Sequence, residues 1–184
     1  MKTPITDSKR VFVAIDCTPI KEQLTEIQKQ LYPIKARYTQ SFHLTLKFIG
    51  SVPKNQLLAI HAQLKKVKHK PFTITVDALG EFSAYSQKVI WAGTKHIKAL
   101  YELQADIEQI LVDYSIPSHK FSPHITLARI KKHRKLASET LQYFKMVLER
   151  PVNPFSFEVN RFHLVESIRT KQGTLYQNLM CYEF

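Results

Sequence analysis

The stretch His43-Leu44-Thr45-Leu46-Lys47-Phe48-Ile49-Gly50 decides how the chain is read, because its first four residues return in kind as His124-Ile125-Thr126-Leu127. Both copies alternate polar and apolar residues, the period of a half-buried strand. In a strand, positions i and i+2 project from one face. Each histidine therefore shares a face with its threonine, while Leu44, Leu46, Ile125 and Leu127 point to the buried side. Each copy offers an imidazole and a hydroxyl side by side on an apolar backing. The repetition predicts two similar lobes that turn their His–Thr pairs toward one shared cleft.

Working outward, Arg10 to Asp16 reads as a strand, and Ile20, Leu24, Ile27 and Leu31 carry the spacing of an amphipathic helix with Pro19 near its start. A short strand at Ala36 to Thr39 leads into the first motif strand, which Gly50 closes. Pro53 opens a second helix with Leu57, Ile60, Leu64 and Val67 on one face. Phe72 to Val76 and Lys88 to Gly93 read as strands paired through the Gly80 to Ser86 region. A third helix follows, marked by Ile97, Leu100, Leu103, Ile107, Ile110 and Tyr114 and ended by Pro117. Beyond the second motif strand, Pro123 to Ile130, a helix is expected from Ser138 to Leu148. Phe155 to Ser167 and Leu175 to Phe184 then form a hairpin joined through Gly173. Several strand neighbours are too close in sequence for helical crossovers, which favours antiparallel pairing and an α+β fold. The expected architecture is a single domain over residues 1–184, with two pseudo-symmetric lobes of mainly antiparallel sheet and outer helices around a central cleft.

Composition narrows the classes. Of 184 residues, 44% are hydrophobic and 23% charged, which excludes wholesale disorder. No apolar run approaches the roughly 18 to 20 residues that span a bilayer. The opening MKTPITDSKR lacks the apolar core of a signal peptide, and Cys17 and Cys181 are too few for a disulfide framework. A cytoplasmic protein with free thiols, away from any membrane, is expected. Lys and Arg number 27 against 15 Asp and Glu, a net charge of +12, which points to nucleic acid or another phosphorylated ligand. The basic runs Lys65 to Lys70 and Lys131 to Lys135 read as solvated faces rather than as binding sites.

Two imidazoles with two hydroxyls suit displacement at phosphorus. Histidine titrates nearest neutrality, so one ring can accept a proton from water while the other gives one to the leaving oxygen. The hydroxyls can donate to the non-bridging oxygens where charge accumulates. Neither histidine has an Asp, Glu or Cys beside it on its own face, and zinc requires at least three protein ligands, so no metal and no cofactor is expected.

The two His-x-Thr-x motifs, together with Arg10 to Asp16, Val89 to Gly93, Phe121 to Arg129 and Phe157 to Leu164, resemble the 2H phosphoesterase superfamily. The nearest branch is the RNA 2′,3′-cyclic phosphodiesterases, historically called 2′-5′ RNA ligases. The resemblance implies a bilobal α+β fold, and a reaction that opens a terminal 2′,3′-cyclic phosphate of RNA to a 2′-phosphate without metal. It also implies a capacity to join RNA ends through a 2′-5′ bond in reverse. Carried over, His43 is the proton donor, His124 the proton acceptor, and Thr45 and Thr126 hold the phosphate. Arg129 matches a family arginine, although strand parity turns it away from His124 unless a bulge re-aims it. Lys47 shares parity with His43 and Thr45 and is a further phosphate contact. Tyr38 is the first candidate to stack the terminal base, whereas Trp91 and Phe48 read as core residues. The partner is RNA with a cyclic-phosphate end, met by a monomer. Other readings are a non-catalytic basic RNA-binding protein, or a 2H enzyme acting on 2′-5′ oligonucleotides or cyclic nucleotides.

Overall fold

The computed structural model describes residues 7–84, 87–115, 120–131, 137–171 and 173–184. Pro117, His119, and the run from Lys132 to Lys135 with His133 lie outside them. In chain order the elements are β1 (Ser8–Asp16), α1 (Lys21–Gln30), β2 (Arg37–Tyr38), β3 (His43–Pro53), α2 (Leu57–Leu64), β4 (Phe72–Val76), β5 (Ala78–Ala84), β6 (Gln87–Gly93) and α3 (Lys98–Ile110). After them come β7 (His124–Lys131), α4 (Ser138–Glu149), β8 (Phe155–Val159), β9 (Arg161–Thr170) and β10 (Gly173–Glu183). The fold is α+β, and every strand pairing among the described residues is antiparallel.

One sheet runs β10-β9-β1-β3-β7-β6-β5, with β2 also on β7. The two motif strands are therefore neighbours at its centre, held by the single pair Leu44 and Ile125. One face of this sheet is sealed. Leu44, Leu46, Ile125 and Leu127 are buried with Leu24 and Ile27 of α1, Ile60 and Leu64 of α2, and Leu100, Leu103 and Ile107 of α3. Removing such aliphatic side chains from water contributes about 1.5 to 3 kcal/mol each, which fixes the register of both motif strands. The opposite face carries a small apolar cluster, Phe12, Ala14 and Val165 with Tyr176 against it. The histidines stand on that open face.

Two expectations about pairing are corrected. Phe72–Val76 does not pair with Lys88–Gly93: β4 pairs with β8 in a separate two-stranded sheet, while β6 takes β5 as its hairpin partner. The tail accordingly breaks at Asn160, sending Phe155–Val159 to β4 and leaving β9 and β10 as the hairpin. Nor does Gly50 close the first motif strand. Its φ of +102° carries the backbone through an irregularity, and β3 continues to Pro53. No helix among the described residues is long and apolar enough to cross a membrane.

Candidate active site

Antiparallel pairing of Leu44 with Ile125 sets His43 across from Thr126 and Thr45 across from His124, all four on the open face. Each ring is oriented by the residue two places before it. Nδ1 of His124 donates to the Ser122 carbonyl at 2.8 Å, and the His43 ring bonds the backbone of Ser41. A carbonyl only accepts, so Nδ1 of His124 carries the proton and its Nε2 is the ring's acceptor. The repeated Ser-x-His spacing is the sequence signal for this second layer of the site.

Both motif strands bulge one residue past the threonine. On β3 the register to β1 skips Leu46 between Thr45 and Lys47, and on β7 the register to β6 skips Leu127 between Thr126 and Ala128. A bulge reverses the side-chain parity beyond it. Leu46 and Lys47 are both buried, as are Leu127 and Ala128, and the next residue of each strand returns to the open face. Arg129 is thereby re-aimed toward the histidines. The buried Gln28 amide secures this bulge by donating to the Leu127 carbonyl at 2.8 Å and to the Thr39 carbonyl at 2.9 Å.

The same geometry overturns Lys47 as a phosphate contact. It is 1% exposed, on the helix side, and its ammonium pairs with Glu108 of α3, which Gln104 also contacts at 3.1 Å. Phe48 takes the place on the open face that Lys47 was expected to hold, and at 64% exposure it is no core residue. Tyr38 is corrected too. It pairs with the buried Ala128 and so lies on the sealed side, and its hydroxyl donates to the carbonyls of Leu31 and Ile34 in the turn that follows α1. The residue before it, Arg37, pairs with Arg129 on the open face and is exposed, a second cation that the sequence reading missed. Trp91 is likewise on the open face, directly beside Thr126.

Burial and neighbouring charge both favour the neutral form of the two rings. Burial, then the charges of Arg129 and His124, push the His43 imidazole down to about 4, with Asp16 and the Ser41 bond opposing. Burial lowers His124 as well, helped by Arg129 and opposed by its bond to Ser122. Among the described residues no group of three or more His, Cys, Asp or Glu is arranged to hold a metal.

A mainly antiparallel α+β sheet with a doubled His-x-Thr on one open face defines a two-histidine phosphoesterase class. The model of the 2′-5′ RNA ligase superfamily matches residues 17–171, and the chain belongs to that superfamily. It is 30% identical over 183 residues to a protein of Archaeoglobus fulgidus named RNA 2′,3′-cyclic phosphodiesterase, covering 95% of this chain and 99% of that one. It is 33% identical over 152 residues to the protein of the same name from Aeropyrum pernix, covering 80% and 84%. Among solved structures, E. coli LigT complexed with phosphate matches with a TM-score of 0.74 at 26% identity, covering 96% of this chain and 97% of that one. The same protein complexed with 3′-AMP gives a TM-score of 0.76 at 25% identity, covering 96% and 98%.

Proposed function

We propose that the protein is an RNA 2′,3′-cyclic phosphodiesterase that opens the terminal cyclic phosphate to a 2′-phosphate by metal-independent acid–base catalysis. The observation that carries this reading is the central register, which sets two His–Thr pairs head to tail across Leu44 and Ile125 with Arg129 turned toward both rings. The names of the relatives support the substrate. His124 takes a proton from water as its oxygen attacks phosphorus, and His43 gives a proton to the departing 3′-oxygen. Thr45 and Thr126 donate to the non-bridging oxygens, and Arg129 offsets the charge that grows on them.

The free site holds His43 neutral, yet an acid must carry a proton. A bound phosphate supplies the difference: its negative charge offsets that of Arg129, which adds to burial in holding the His43 ring down, and favours the imidazolium at His43. A 5′-hydroxyl in place of water makes the same displacement a 2′-5′ ligation, which runs in both directions. The two halves of the sheet that meet at Leu44 and Ile125 serve as pseudo-symmetric lobes of one domain over residues 1–184. Every group invoked comes from one chain, so a monomer suffices. The unpaired thiols, Cys17 buried and Cys181 exposed, fit the reducing cytoplasm.

Incubating an RNA ending in a 2′,3′-cyclic phosphate with the protein in EDTA tests this reading. A 2′-phosphate product at an undiminished rate is expected. A 3′-phosphate product, or activity lost and restored by one metal ion, would overturn it.

A further inference from the structure

The open face is not symmetric. Across β7, Gly93 lies opposite His124 and Trp91 opposite Thr126, and the Trp91 ring fills the space over Gly80 and Gly93. Across β3, the same two positions are Asp16 opposite His43 and Ala14 opposite Thr45. Where one half has an indole, the other has a methyl group and a cavity of about 170 Å³. Asp16, Thr18, Ser41, His163, Tyr176 and Asn178 line it beside His43. The space is small, and it opens directly beside His43.

The lining is polar and has bonding capacity left. Thr18 donates to Oδ1 of Asp16 through its amide at 3.0 Å and its hydroxyl at 2.7 Å, which fixes the carboxylate. A carboxylate accepts at about four positions, so two remain. No lysine or arginine forms an ion pair with Asp16 among the described residues. His163 is 9% exposed, and its Nδ1 has no hydrogen-bond partner among the described residues. Tyr176, edge-on to His43 at 4.6 Å, forms an aromatic wall.

We infer that this cavity seats the base of the terminal nucleotide and that Asp16 makes it prefer guanine. The inference rests on the phosphodiesterase reading, because a base there places the 3′-oxygen on the His43 side. Guanine presents two adjacent donors, N1–H and the N2 amino group, matching the two remaining carboxylate positions. Adenine and cytosine offer an amino group beside an acceptor. Uracil has one N–H between two carbonyls, which a carboxylate repels.

The test is calorimetric binding of the four nucleoside 2′-monophosphates and of ribose 2-phosphate to the wild type, Asp16→Asn and Asn178→Ala. Guanosine 2′-monophosphate should bind about tenfold more tightly than the uridine compound, the scale of a good bidentate contact to a base. That ratio should fall to near unity in Asp16→Asn, and any effect of Asp16 on His43 cancels in it. Asn178→Ala, an exposed change on β10, should weaken all four nucleotides but not ribose 2-phosphate. Equal binding of all five compounds would overturn the inference. Turnover of the four cyclic phosphates, measured alongside, speaks separately to the phosphodiesterase reading: hydrolysis without base preference sinks only the pocket, whereas base-selective binding without hydrolysis sinks only the reaction.

Discussion

The two halves of the central sheet are built on one plan and finished differently. Pair for pair, Asp16, Ala14 and Phe12 stand beside β3 where Gly93, Trp91 and Val89 stand beside β7. One strand further out, His163 and Val165 answer Gly80 and Phe82. Both motif strands bulge one residue past the threonine, yet the residue returned to the open face is Phe48 in one half and Arg129 in the other. The shared parts are those a symmetric phosphate needs: two imidazoles, two hydroxyls, and a carbonyl to orient each ring. The unshared parts are those an asymmetric substrate needs. An RNA end has a nucleoside on one side of phosphorus and an incoming water on the other, and the protein has a cavity on one side and a packed indole on the other.

If that division is real, the two bulge residues should differ most in their effect. Arg129→Met removes the positive charge aimed at the phosphate and should lower turnover by roughly 10²- to 10³-fold, the scale of a lost transition-state donor. Phe48→Ala, its counterpart, should change turnover less than about tenfold. Steady-state kinetics on a cyclic-phosphate oligonucleotide measures both, and equal losses would erase the distinction.

Gly93 probes the filled half. A Cβ there would lie 2.6 Å from Cζ3 of Trp91, and the indole has Gly80 beneath its other edge, where a Cβ would meet Cζ2 at 2.3 Å. Gly93→Ala must therefore displace the ring beside Thr126. A stability loss of about 1 to 3 kcal/mol, typical of overpacking, should accompany a fall in turnover of roughly tenfold. Thermal unfolding with wild-type behaviour, and unchanged kinetics, would mean that the ring has room to move and that the half is not packed as described.

The smallest effect expected is on pH. His43 is held down to about 4 by burial, Arg129 and His124, and in the proposed mechanism a bound phosphate reverses part of that. If His43 is the acid it must be protonated, and activity then falls as pH rises through its pKa. That fall should come at lower pH in kcat/KM, which reports the free enzyme, than in kcat, which reports the complex. A separation of about one pH unit or more is expected from an opposite charge in contact. Coincident profiles would show that the phosphate does not set the charge of His43.

Much of this was legible in the sequence because hydrophobic period and burial agree. The alternation of Phe42 to Leu46 and of Pro123 to Leu127 placed both histidines and both threonines on one face, and the helical spacings of α1 and α3 were equally plain. What failed did so for identifiable reasons. A period-two pattern assumes an unbroken strand, and the bulges at Leu46 and Leu127 reverse parity just before Lys47 and Arg129. Adjacent residues that are both buried, such as Leu127 and Ala128, are the trace such a bulge leaves in a sequence. Tyr38 was misplaced because β2 has only two residues, too few to establish a face. Trp91 was misplaced because an aromatic in a strand does not announce its side; the glycines at 80 and 93 that make room for it are the clue. The pairing of β4 with β8 joins segments far apart in sequence, and no local pattern encodes such a partner.

The central claim is that two histidines alike in setting perform opposite proton transfers. A cyclic substrate with sulfur in place of the bridging 3′-oxygen tests it most directly, since a thiolate departs without being protonated. On the oxygen substrate His43→Ala and His124→Ala should each lose roughly 10²- to 10⁴-fold in turnover. On the sulfur substrate His43→Ala should recover most of its rate and His124→Ala should stay impaired. Equal recovery in both variants, or recovery in His124→Ala alone, would contradict the assignment.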